Sequence, residues 1–363
     1  MTIGYYVLSN ISFQVINFME KELWKYLKSA RKPIVLYGMG NGADKIIAVL
    51  NSLGIPFHGV FASDGFVREK YFHGHKICTY GELKQKFGEM IVLLCFGSAR
   101  PEVLANVKKI SAEQELYAPE VPVIGGGLFT EKYVYDNKEA FEAVYRHLGD
   151  DLSQKTFLDI VNFKLSGKID YLFDCEVPAD EPYSGFFGLT DNESFLDLGA
   201  YNGDTVADFV ARVKEYDKIT AVEADVKTFK KLKANTAGFK NVRCENICIS
   251  DFCGEATFGM RGGRNSGSAC GNSKALFTTV DSLLPNERIS YIKMDIEGEE
   301  KNAIEGARQT ILKNKPKMLI ACYHRTEDLL SIPQAVFSIR KDYKFYIRHF
   351  ASLPAWDTNY YFV

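Results

Sequence analysis

Six side chains in the second half of the chain could hold a charged small molecule or move a proton: Asp197, Glu223, Ser250, Asp251, Asp295 and His324. An apolar run ends at Asp197 in the stretch FLDLGAYNGDT, and Gly199, Tyr201, Gly203 and Asp204 follow. A glycine-rich turn between a strand and a helix lets a ligand touch the backbone, because no Cβ stands in the way. The Lys-Ser or Lys-Thr pair of a phosphate-cradling loop is missing. Glu223 ends the next apolar run, AVEA, where a carboxylate can accept both hydroxyls of a ribose. The loop reads Asp-x-Gly-x-x-x-Gly and not G-x-G-x-x-G, and Asp197 can accept from an amino-acid ammonium group, which a dinucleotide lacks. Together these residues point to S-adenosylmethionine. Tyr201 and Asp204 in the loop, with Ser250 and Asp251 at the end of the third strand, complete the expected contacts. The last two are candidates for the adenine edge, with a simple Asx turn as the competing explanation.

Asp295, after YIKM, and His324, after KMLIACY, end adjacent strands and should converge. Histidine is the usual general base near neutral pH, and a neighbouring carboxylate favours the imidazolium formed when it accepts a proton. We therefore expect His324 as base and Asp295 as the orienting or substrate-binding group; a histidine that only caps its strand is the alternative. Asp295, Glu297, Glu300 and His324 could instead ligate a hard divalent ion, a reading not favoured here. Acids opening a helix are what its dipole favours, which suffices for Glu299 and Glu300. Lys293, two residues before Asp295 on one strand face, is expected to pair with it.

These motifs carry a resemblance. In order, FLDLGAYNGDT, AVEAD, ICISDFCGEATF, TTVDSLL, IKMDIEGEEKNAIEGA, KPKMLIACYH and DLLSIP are similar to the FkbM-type methyltransferases over about residues 183–363. The IKMDIEGEE block is the most specific element. The resemblance implies a class I methyltransferase fold and methyl transfer from S-adenosylmethionine to a hydroxyl, with sugars or polyketide-type natural products as acceptors. The chain departs from the pattern at Tyr201-Asn202, which should change the pocket wall and not the cofactor.

The elements that must position these groups read as two α/β units. At 363 residues, with 46% hydrophobic and 25% charged residues and a formal net charge of −2, the chain is an ordinary globular protein with more than one core, not basic enough for nucleic acid as main partner. No signal peptide and no apolar run near the ~20 residues of a membrane span stand out, and eight scattered cysteines without a CxxC pair fit reduced thiols, so a cytoplasmic location is expected. Residues 1–125 are expected to form a smaller Rossmann-like domain, with strands at Ile34–Tyr37, Pro56–Phe61 and 90–98. Residues 126–190 are expected to form a connector of two helices, and residues 191–363 a seven-stranded sheet whose last strand inserts antiparallel. There, VRCENICIS reads as one strand carrying Cys244 and Cys248, followed by an irregular Gly/Ser-rich stretch.

GMGNGA at residues 38–43, with Asp64 near the end of the second strand, loosely fits a nucleotide-binding turn. Gly38, Gly40 and Ser98 would line a nucleotide or nucleotide-sugar site; equally, the unit could be a scaffold or a homo-oligomerisation module. An NAD-dependent sugar oxidoreductase is a competing function, against which no Tyr-x-x-x-Lys pair follows that sheet. A non-catalytic cofactor-binding protein is another. The expected activity is methyl transfer to a hydroxyl of a sugar, glycan or secondary metabolite.

Overall fold

The computed structural model describes residues 20–63, 71–125, 127–258 and 273–363. Asp64, Cys270 and most of the Gly/Ser-rich stretch lie outside the described residues. The first sheet contains β1 (Ile34–Tyr37), β2 (Gly59–Phe61), β3 (Tyr71–Phe72), β4 (His75–Cys78), β5 (Ile91–Leu94) and β6 (Glu115–Tyr117) in the order β3-β4-β2-β1-β5-β6. All its pairings are parallel except β3 with β4. β1 and β5 are buried at every position, which is why they read as unbroken apolar runs. The helix Asn41–Leu53 begins after Gly40 and stops at Gly54, whose left-handed backbone (φ 68°) ends it. β2 starts at Gly59, later than expected, since Pro56 has no N–H to give a ladder.

The connector holds four main helices, not two: Glu131–Asp136, Lys138–His147, Asp151–Ser166 and Asp170–Cys175. Asn137 separates the first pair, and Asp150 caps the third by accepting from the Ser153 amide at 2.7 Å. The third helix buries Phe157, Ile160, Val161, Phe163 and Leu165. It packs against the second sheet, where the Ser153 hydroxyl bonds Arg348 at 2.7 Å.

The second sheet contains β7 (Ser194–Leu198), β8 (Lys218–Val222) and β9 (Val242–Glu245). A small separate sheet follows, built of β10 (Cys248–Ile249), β11 (Gly254–Phe258) and β12 (Ser273–Thr278). β13 (Tyr291–Met294), β14 (Lys317–Ala321), β15 (Phe345–His349) and β16 (Thr358–Phe362) complete the large sheet. Its order is β15-β16-β14-β13-β7-β8-β9, with β16 alone antiparallel to its neighbours. This is the expected seven-stranded arrangement, and strand order reverses between β7 and β13.

VRCENICIS is two strands in two sheets. Asn246 breaks it by donating to the carbonyls of Glu223 (2.8 Å) and Ala224 (3.0 Å), after which β10 pairs with β12. Cys244 and Cys248 therefore do not share one sheet face.

The carboxyl ends of β1 and β5 point toward loops of the second sheet. Ser98 and Leu353 exchange backbone hydrogen bonds of 2.7 and 3.0 Å. The Ile124 amide donates to the His324 carbonyl at 3.0 Å, and the Thr326 hydroxyl to the Gly127 carbonyl at 2.5 Å. Trp356 lies so close over Gly97 that a Cβ there would sit 2.1 Å from its ring.

Candidate active site

The loop after β7 is squeezed against the end of β13. A Cβ on Gly199 (φ 81°) would meet the Asp295 carbonyl oxygen at 1.9 Å, so only glycine fits. Tyr201 also has positive φ (46°) and is largely exposed, and Gly203 (φ 90°) starts the helix Asp204–Arg212. The first amides of that helix are already taken locally. Asp204 N donates to the Asn202 side chain (3.1 Å), and Thr205 N to the Asp204 carboxylate (2.8 Å).

Asp197 is wholly buried, and neither carboxylate oxygen has a hydrogen-bond partner among the described residues. Burial pushes its carboxyl above the ordinary range, against the opposing pull of Lys293. Lys293 stands directly opposite on β13, its Nζ 3.4 Å from Asp197 Oδ1. It pairs across the strands with Asp197; Asp295 acts on it at longer range.

Glu223, just past β8, reaches back to the loop. Its Oε2 accepts from the Tyr201 amide (3.0 Å) and its Oε1 from the Asp225 amide (2.8 Å). Burial raises its pKa while those two amides pull it down. Ser250 is buried at the end of β10, and Asp251 is exposed. The Ser250 hydroxyl lies 3.3 Å from Asp251 Oδ1 and 3.4 Å from Glu299 Oε2.

Asp295 and His324 do converge, with Nε2 3.4 Å from Asp295 Oδ1. Tyr323 OH donates to the same oxygen at 3.1 Å. The other ring nitrogen faces Glu300, its Nδ1 3.0 Å from Oε1, off the line of a good hydrogen bond, so attraction between charges dominates. Glu300 opens the helix Glu300–Gly306, as expected from sequence, and is fully buried there. Its Oε1 also accepts from the Ile296 amide at 2.9 Å, closing the turn in which Glu297 (φ 55°) and Gly298 (φ 91°) are both left-handed. Burial alone would depress the His324 pKa. Glu300 foremost, then Asp295 and Glu297, outweigh it and push it to about 9. His324 thus carries its proton at neutral pH. Asp295, Glu300 and His324 offer ligand atoms within 4.8 Å of one another, the one such group among the described residues able to hold a metal ion.

Glu300 and Lys293 were both named from sequence but with other partners, although a signal existed for the ones observed. Glu300, Ala303, Ile304 and Ala307 share one helical face, and all are buried. A lysine inside the buried run YIKM needs a counter-charge, and the aspartate inside FLDL occupies the matching place on the adjacent strand.

Residues 197–345 match the family model described as the methyltransferase FkbM domain. The chain carries an FkbM methyltransferase domain. Among solved structures it is similar to methyltransferase FkbM from Methylobacillus flagellatus KT, at 20% identity and TM-score 0.74, over 99% of this chain and 98% of that one. The likeness extends beyond the FkbM domain to the first sheet and the connector. Aeropyrum pernix fibrillarin with bound S-adenosyl-L-methionine is 14% identical over 48% of this chain and 67% of its own, at TM-score 0.32. Precorrin-6y C5,15-methyltransferase from Geobacter metallireducens GS-15 is 11% identical over 48% and 82%, at TM-score 0.33. No curated protein sequence matches. The FkbM domain makes the chain an S-adenosylmethionine-dependent methyltransferase.

Proposed function

We propose that the chain transfers a methyl group from S-adenosylmethionine to a hydroxyl of a sugar, a glycan or a related secondary metabolite. The observation that carries this reading is the convergence of Asp295 and His324 at the ends of β13 and β14, beside the Gly199–Gly203 loop. The residues present suit the cofactor. Glu223 has unused lone pairs for a ribose, Ser250 and Asp251 offer polar atoms to an adenine edge, and the glycines keep the loop low. When bound, S-adenosylmethionine supplies an activated methyl group, so the chain's task is alignment and proton removal.

The charge states suggest how the pair divides that task. His324, held as imidazolium between Glu300 and Asp295, holds Asp295 in place. Asp295, a third of whose side chain is exposed, accepts the hydroxyl proton. A weak base suffices because the alcohol sheds its proton late in the displacement. Above pH about 9, neutral His324 can take over as base.

The test is a transfer assay with methyl-labelled cofactor against nucleotide sugars and oligosaccharides. Label in an alkali-stable ether on a sugar carbon supports the reading. Label confined to nitrogen or carboxylate acceptors overturns it. Full activity after chelation fits the Asp295–His324 pair, whereas collapse rescued by magnesium would assign Asp295, Glu300 and His324 to an ion.

A further inference from the structure

The two acceptors of the loop best suited to a ligand's ammonium group, the Asp197 carboxylate and the Gly199 carbonyl, already face an ammonium group of the protein. Lys293 Nζ donates to the Gly199 carbonyl at 2.8 Å and lies 3.4 Å from Asp197 Oδ1. Asp197 is completely buried beneath it, while Lys293 keeps a tenth of its side chain exposed. A second ammonium arriving there meets like charge; a carboxylate meets opposite charge. The nearby helix start cannot take the carboxylate through its first amides, because Asn202 and Asp204 side chains occupy the Asp204 and Thr205 N–H groups. Among the described residues, the other ionisable groups that act on Lys293 and the loop, Asp204, Glu223 and Asp295, are all acids, which leaves Lys293 as the cation among them.

We propose that Lys293 is the receptor for the carboxylate of the cofactor's methionine moiety, with Asp197 positioning it as a buried counter-charge. Asp197 thereby acts through Lys293 and not by holding the ligand's ammonium directly. The inference rests on the reading that this loop binds S-adenosylmethionine.

Calorimetry with four ligands tests it: S-adenosylhomocysteine, its decarboxylated and its deaminated analogues, and 5′-methylthioadenosine, which lacks the amino-acid end. Lys293→Met should weaken S-adenosylhomocysteine and the deaminated analogue about ten- to a hundred-fold, the loss of one charge-assisted contact. It should leave the decarboxylated analogue and methylthioadenosine within about twofold of wild type. Asp197→Asn should show the same selectivity more weakly, and Lys293→Arg should restore part of the affinity. Where Lys293→Met leaves Asp197 unpaired and unfolds the chain, the Lys293→Met/Asp197→Asn double variant removes both charges and keeps the measurement possible. Unchanged or tighter S-adenosylhomocysteine binding to Lys293→Met overturns the proposal, since the lysine would then be a place-holder displaced by the ligand's ammonium. Equal losses for all four ligands overturn it too, as a structural role. If wild type binds none of them, the cofactor-site reading fails first and takes this inference with it.

Discussion

A histidine with two acids around it behaves differently from a histidine with one. His324 has its pKa raised from the usual value to about 9, so the folded chain binds its proton more tightly than the unfolded chain does. The resulting stabilisation is complete below about pH 6.5 and fades as pH rises through about 9. Urea midpoints should therefore fall between pH 7 and 9.5 in wild type and fall less in His324→Gln; parallel curves would show that the Glu300 pairing contributes nothing. For catalysis, Asp295→Asn should slow methyl transfer about a hundred-fold with cofactor affinity intact, the usual cost of removing a proton acceptor. His324→Asn should slow it less at pH 7.5 than at pH 9.5, where the neutral ring contributes directly. A larger loss at pH 7.5 than at pH 9.5 would make His324 the base throughout. Asp295 and His324 were legible in the sequence because each ends an apolar strand. Glu300 was legible as an acid opening a helix and as a possible ion ligand, while its burial follows from the helical period it shares with Ala303, Ile304 and Ala307.

At the scale of elements, the loop after β7 depends on close backbone approach. Gly199→Ala combines a left-handed backbone with a 1.9 Å clash against the Asp295 carbonyl. It should destabilise the chain by about 1–3 kcal/mol and abolish cofactor binding, as thermal melts and calorimetry would record. Gly238→Ala, with no heavy atom within 4 Å of the added Cβ, should be neutral to within about 0.5 kcal/mol. Similar melting of both variants would remove the geometric argument. The central parallel strands β1, β5 and β7 could be read from sequence because burial on two faces leaves largely apolar runs, whereas the half-buried β4 and β6 could not. The split between β9 and β10 could not, since it depends on the Asn246 side chain finding two carbonyls on another strand end. The pairing of β11 with β12 was equally hidden: its hydrogen bonds join segments separated by a Gly/Ser-rich stretch without an apolar pattern.

For the whole molecule, the hydrophobic core does not respect the three-part division expected from sequence. One contiguous cluster takes in Val35 and Tyr37 of β1, Phe157 and Phe163 of the connector, and Leu196, Ile292 and Ile320 of the second sheet. A single calorimetric unfolding transition is expected for the full chain, and two separated transitions would show that the sheets are stabilised independently. The links from the first sheet to the loops of the second, at Ser98 with Leu353 and at Ile124 with His324, are made by main-chain atoms. Every amino acid but proline supplies those atoms, so these two links survive substitution at their own positions, whereas Trp356 over Gly97 and the Thr326 hydroxyl on Gly127 tie the seam to particular side chains. The main-chain part of the seam is indifferent to side-chain identity, which is compatible with a fold kept at 20% identity to the Methylobacillus protein.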